Sequence, residues 1–197
     1  DFMFLDESTR KNLELTATIS GSGVEGTLIS IMDETQTPMG GRLLKQWLSK
    51  PLISKEPLLE RQKHVRFYYK NEPISLTLQD MLGEIADIER MAARLATGRL
   101  NPRELIFLKR TLKTISDINN YFNTENIDPE FKPEFINLDE VIELIECSIH
   151  DDAPLNIKEG NIIKPGYSAQ LDGLKSLAGS GKEWVVEYQQ KERDRTG

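Results

Sequence analysis

Apolar positions along this chain recur mainly every third or fourth residue, the period of a helix that buries one face. The clearest run is Leu105, Leu108, Leu112, Ile115 and Phe122, which predicts a helix opened by Asn101-Pro102 and running to about Phe122. Between Thr27 and Leu52 the pattern predicts a short helix, a polar loop closed by Pro38 and Gly40-Gly41, and a second helix stopped by Pro51. Ser54 is placed to cap a helix from about Lys55 to Tyr69, with Leu58, Gln62, Val65 and Tyr69 on one stripe. Pro73 restarts the chain, and Leu78, Leu82 and Ile85 continue as a helical face. Asp87 reads as the cap of a helix from Ile88 to about Thr97, ended by Gly98.

Residues 123–136 hold Pro129 and Pro133 among Asn, Asp and Glu, and read as an exposed connection. A further helix begins at Asn137 or Leu138, with Val141, Ile142, Ile145 and Ile149 expected on its buried side. Period-two signals are confined to Phe2-Met3-Phe4-Leu5, expected as an edge strand, and to a small hairpin over 155–164 that turns at Gly160-Asn161. From Ser168 a seam of Tyr167, Leu171, Leu174, Ala178, Val185 and Tyr188 keeps register across Gly179-Ser-Gly181. That predicts one long helix with a soft joint. Beyond Tyr188 the face becomes polar all round, so the helix is expected to leave its core and protrude.

The fold class is therefore mainly α: a multi-helix bundle with one short N-terminal strand and one hairpin. Residues 1–26 are expected to form a strand and linker leading into the core, 27–178 the helical core, and 179–197 the long helix. Core anchors are expected at Leu44, Trp47, Leu48, Leu112, Leu171 and Trp184. On that placement Trp47→Ala should cost about 3–5 kcal/mol, the usual range for a fully buried Trp.

Charge changes the picture in one respect. The net charge of −7 argues against a free-standing nucleic-acid binder. It hides a division, however, because residues 42–70 carry +6 while 125–160 carry −9. A stand-alone scaffold whose basic stretch 42–70 binds an acidic partner is thus one reading of the chain. Cys147 is the only cysteine, which removes any disulfide framework and points to a reducing, cytoplasmic setting. No apolar run approaches the roughly 20 residues needed to span a bilayer.

Candidate chemistry fails on spacing. Gly21-Ser-Gly23-Val-Glu-Gly26 matches a dinucleotide fingerprint formally, but lacks a preceding strand and the acidic residue about 20 positions on, where Gln46 stands. Gly179-Ser-Gly-Lys182 lacks both the earlier glycine and the hydroxyl after the lysine that a phosphate loop requires. Cys147 and His150 supply half a zinc site, with His64 as the sole remaining histidine. Lys191, Arg193 and Arg195 are candidates for DNA contact, although Glu192 and Asp194 interleave with them and favour intrahelical pairing. No catalytic, cofactor-binding or metal-binding residue is therefore assigned.

Several separated motifs in one order do carry a resemblance. Leu5 to Leu15, Thr27-Leu28 through Asp33, Thr35, Thr37-Pro-Met-Gly40, Arg42, Leu44 and Trp47-Leu48 resemble the core of the MutS family of DNA mismatch-repair proteins. Leu59 to Val65, Asp87-Ile-Glu-Arg90 with Arg94, Gly166-Tyr167 with Leu171-Asp172, and Lys191 to Gly197 follow in the family's order. The resemblance implies a segment of a longer protein: the first part of a helical lever, ending where a clamp domain begins. It further implies a parent that binds mismatched double-stranded DNA, works with a second subunit of its kind, and uses ATP and Mg at a site outside this chain. The segment itself is expected to hold no cofactor, to hydrolyse no ATP and to bind nucleic acid weakly. The parent is expected in the cytoplasm, associated with the bacterial nucleoid.

Overall fold

The computed structural model describes residues 2–21 and 23–196, with side-chain surroundings defined for all of these but 181–183, 185–187 and 196. The chain is mainly helical. In order come α1 (Glu7–Asn12), α2 (Leu28–Met32), α3 (Pro38–Ser49), α4 (Lys55–Lys70), α5 (Glu72–Gly83), α6 (Ile88–Ala96), α7 (Pro102–Thr124), α8 (Asp139–Ser148) and α9 (Ala169–Thr196). One-turn 3-10 helices lie at Pro129–Phe131 and Ile157–Glu159.

Local capping chemistry sets the helix starts. The carboxylate of Asp6 and the hydroxyls of Thr27 and Thr37 accept from the backbone N–H three residues on, and Asp87 does the same for Arg90. At α7 the exchange is reciprocal: Asn101 Oδ1 accepts from Glu104 N at 2.9 Å, while Glu104 Oε2 accepts from Asn101 N at 2.9 Å. Such a capping box satisfies two otherwise orphaned donors. Gly98, at φ +65°, closes the stretch after α6 in a conformation that a Cβ would strain.

The chain divides into two compact units, Asp1–Leu100 with Phe107–Ile142 and Asn101–Ile106 with Glu143–Gly197. In the first, Leu78 and Ile85 from α5 and its exit meet Ile118 and Phe122 of α7 and Ile127 beyond it. Met39, Phe67, Ile74, Ile88, Phe131 and Phe135 pack around them. The fully buried Thr111 hydroxyl accepts from Ala86 N at 3.2 Å, pinning the turn before α6 to α7. In the second unit the end of α8 meets the following loop: His150 N donates to Ile162 O at 2.7 Å and Lys164 N to Ser148 O at 2.8 Å. Gly166, at φ +86°, donates its N–H to Asp172 Oδ2 at 2.8 Å, and Ser168 Oγ accepts from Leu171 N, so the start of α9 is capped twice.

Several expectations are corrected. The N-terminal strand reduces to a single bridge, Phe2 with Leu52, and Asp6 caps helix α1 just beyond it. Gly40-Gly41 lie inside the first turn of α3, not in the loop before it; a Cβ on Gly40 would stand 3.0 Å from the capping Thr37 Oγ1. Residues 123–136 are not simply exposed, because Ile127 is buried and Phe131 stacks on Phe67 at 4.1 Å. Val141 is exposed and Ser148 takes the inward position beside Ile145 and Ile149.

No hairpin forms over 155–164: Gly160 and Asn161 do adopt the expected positive φ, but the chain runs through a 3-10 turn and bridges Ile163 to Ile149. That single bridge forms at the end of α8 because the backbone there is free once the helix stops. Helix α9 runs without interruption through Gly179-Ser-Gly181. Of its seam, Leu174 and Tyr188 are exposed, and Val185 falls outside the described side chains.

Candidate functional site

The strongest polar constellation among the described residues joins α3 to the start of α6. Thr37 caps α3, and this sets Arg42 on the second turn. Its guanidinium forks onto one carboxylate, Nη1 donating to Asp87 Oδ2 at 2.7 Å and Nη2 to Asp87 Oδ1 at 2.8 Å. Nη2 also donates to Glu89 Oε2 at 2.5 Å, and Arg90 Nε lies 3.3 Å from Asp87 Oδ2. Parallel N–H···O bonds of this kind fix both distance and orientation, which a lysine cannot do.

Asp87 serves two helices at once, accepting from Arg42 of α3 while Oδ1 caps α6 through Arg90 N at 3.2 Å. The Arg42 hydrogen bonds, with the cap, hold its carboxyl well below the usual range, at about 2. Arg42 is correspondingly pushed upward by the same carboxylates. Asp87 and Arg42 therefore form a joint that stays ionised at physiological pH.

A second joint holds the 129–131 turn to α4. Phe131 stacks on Phe67 and meets His64 edge-on at 5.4 Å, Tyr68 Oη donates to Phe131 O at 2.7 Å, and Lys63 pairs with Glu130. Glu130 lifts the Lys63 pKa through that bond, and burial lifts that of Tyr68.

The sequence-predicted residues scatter. Leu112 is buried in α7, while Leu44, Leu48 and Leu171 are half-buried. Trp47 is 38% exposed, with the Arg61 guanidinium 3.6 Å from its ring centroid. It is thus a covered surface ring and not a core anchor, and the cost of Trp47→Ala falls to about 1–2 kcal/mol, the worth of partial burial plus one cation–π contact. Chemical denaturation of the variant checks that value. Trp184, also expected in a core, is 63% exposed and stacks on Tyr188 at 5.4 Å. Lys191, Arg193 and Arg195 are exposed, with Arg195 Nη2 2.9 Å from Glu192 Oε2.

Cys147 is exposed and donates to Leu144 O; His150 Nδ1 accepts from Asp152 N. No group of three potential metal ligands gathers among the described residues. The glycines at 21–26 form turns closed by Thr18 and Val24 carbonyls, with Ser22 outside the described residues. Lys182 and Gly197, named in the motifs above, have no described side-chain surroundings.

Sequence reasoning recognised Arg42 and Asp87-Ile-Glu-Arg90 as separate motifs but not as one site. They stand 45 residues apart, and nothing local links them.

Nine helices, joined by the Arg42–Asp87 fork and the Phe67–Phe131 ring stack among the described residues, define a mainly α domain. Within that class, the family model for MutS domain III matches residues 8–194, and the chain belongs to that family. It is 40% identical over 199 residues to the DNA mismatch repair protein MutS of Listeria monocytogenes serotype 4a, covering all of this chain and 23% of that protein. Against the DNA mismatch repair protein MutS of Alkaliphilus oremlandii it is 39% identical over 197 residues, covering 99% of this chain and 22% of that protein. A Geobacillus protein of the same name is 40% identical over 205 residues. The chain spans less than a quarter of the length of these curated relatives. No described helix is long and apolar enough to cross a membrane.

Proposed function

We propose that this chain is the first part of the lever of a mismatch-repair ATPase, carrying conformational change between regions that grip mismatched DNA and a distant ATP site. The observation that supports this reading most directly is the Arg42–Asp87–Glu89 joint: two family motifs meet to tie α3 to the head of α6. Transmission over distance needs packed elements with discrete arrangements, not reactive side chains. A two-toothed ion pair suits it, since it is either formed or broken. In this reading residues 1–26 lead into the core, 27–178 form it, and 179–197 continue α9 toward a clamp on the duplex, where Lys191, Arg193 and Arg195 meet phosphates. ATP and Mg act elsewhere in the parent, a second subunit completes its ring around DNA, and the whole works in the cytoplasm on the nucleoid.

The test is Arg42→Ala in the full-length protein. Mismatch affinity without nucleotide and ATP affinity without DNA should each stay close to the parent's. Their mutual coupling should weaken by roughly tenfold, within the range of a typical allosteric free energy. Unchanged coupling would remove the joint from the mechanism. Specific mismatch binding or ATP turnover by the 197-residue chain alone would overturn the lever reading itself.

A further inference from the structure

Helix α4 has two apolar faces, and only one of them is covered by the described residues. His64, Phe67 and Tyr68 look inward onto Phe131 and the core of the first unit. Leu58, Gln62, Val65 and Tyr69, spaced four, three and four apart, line the opposite face. There Val65 is 65% exposed and Tyr69 85% exposed, with Leu58 and the neighbouring Leu59 also open. Lys55, Arg61, Arg66 and Lys70 flank this ridge, whereas Glu60 turns to His64 at 3.4 Å. Beside the ridge, between α3 and α4, a cavity of about 420 Å³ is lined by Trp47, Pro57, Glu60, Arg61, His64 and Val65.

We propose that this outward face of α4 is a docking site for an acidic amphipathic helix supplied by the part of the polypeptide outside residues 1–197. Three features of the face select that occupant. Apolar residues at helical spacing match the ridge of a second helix, and the cavity beside Trp47 is large enough for one anchoring side chain. The surrounding cations, in a chain whose net charge is −7, select a partner whose flanks are carboxylates. Nucleic acid would satisfy the cations but not Leu58, Leu59 and Val65, which offer nothing to phosphate.

The length of the relatives, more than four times that of this chain, supplies the source. An aliphatic ridge left permanently open invites aggregation, and a tethered segment covers it at high effective concentration. The proposal needs the parent to be longer, as its relatives are. It does not depend on the lever role, so coupling experiments on Arg42 and the experiment below fail independently.

Hydroxyl-radical footprinting of Tyr69 compares the 197-residue chain with the full-length protein. Oxidation should be fast in the former and slower by about tenfold in the latter, in proportion to lost solvent access. Carbodiimide treatment of the full-length protein should join Lys55 or Lys70 to an Asp or Glu beyond residues 1–197. Val65→Asp should leave the melting temperature of the 197-residue chain unchanged, because the position is open there, yet restore Tyr69 oxidation in the full-length protein. Equal oxidation in both proteins would overturn the proposal. So would protection without any carboxylate cross-link, cross-links only to a second chain, or protection that appears only when duplex DNA is added.

Discussion

Phe122→Ala is expected to cost about 3–5 kcal/mol, the range for truncating an aromatic ring in a packed core. Phe122 is 3% exposed and sits where α7 meets Leu78, Ile85, Ile118 and Ile127. It also tilts against Phe135 at 6.0 Å, so removing it loosens the 129–135 segment as well as the helix. The apolar groove of about 390 Å³ beside it, lined by Leu78, Leu82, Ile85, Ile118 and Phe135 among others, would widen and not collapse. Residual cavity volume is what raises such costs toward the upper end. Urea denaturation followed by circular dichroism reads the effect, and a loss under about 1 kcal/mol would show that the ring is not a core member.

Substitution of Asp87 should produce the next largest effect, and its variants separate the two tasks of that carboxylate. Asp87→Asn keeps a side chain able to cap α6 while removing the charge that Arg42 grips. Asp87→Ala removes both. Thermal midpoints should therefore fall in the order wild type, Asn, Ala, the last by on the order of 5 °C for a chain of this length. Arg42→Ala should match Asp87→Asn, and combining the two should add little, since each alone already breaks the fork. Additive losses would mean that the two side chains act independently.

The same carboxylate sets an acid response. Its folded pKa, near 2, lies below the unfolded value of about 3.9, so its contribution is complete above that unfolded value. The contribution is lost as pH falls from about 4 through 2. Wild type and Asp87→Asn should accordingly converge in stability at the acid end of that window and diverge above it.

Much of the fold could be read from residues whose partners are three or four positions away. Asp87, Asn101-Pro102 and Gly98 mark helix ends through hydrogen bonds and backbone angles internal to one turn, so no distant atom is needed to interpret them. Gly160-Asn161 announced a positive-φ turn for the same reason. What pairs across that turn was not local: Ile163 bridges Ile149, on the exit of α8, and the hairpin gives way to a 3-10 turn.

Periodicity likewise found α4 and put Leu58, Gln62, Val65 and Tyr69 on one stripe, which the fold leaves exposed. Apolar residues line both sides of that helix, and a pattern along one helix cannot say which side another element reaches. Phe131, in a stretch read as an exposed connection, decided it by stacking on Phe67. Trp47 went astray in a similar way, since a ring on an apolar stripe is covered equally well by core or by the stem and guanidinium of Arg61.

By itself, then, the sequence determined a mainly helical chain, the ends of most of its helices, and through its ordered motifs the family to which it belongs. These rest on short-range backbone chemistry and on residue identity. Tertiary structure alone decided that Arg42 meets Asp87, that α4 turns His64, Phe67 and Tyr68 inward, and that its basic, aliphatic face is left open. Each of those depends on which surfaces come together across 40 or more residues. Coulomb attraction and apolar burial act through space, so their outcome is fixed only when the distant partner is in place.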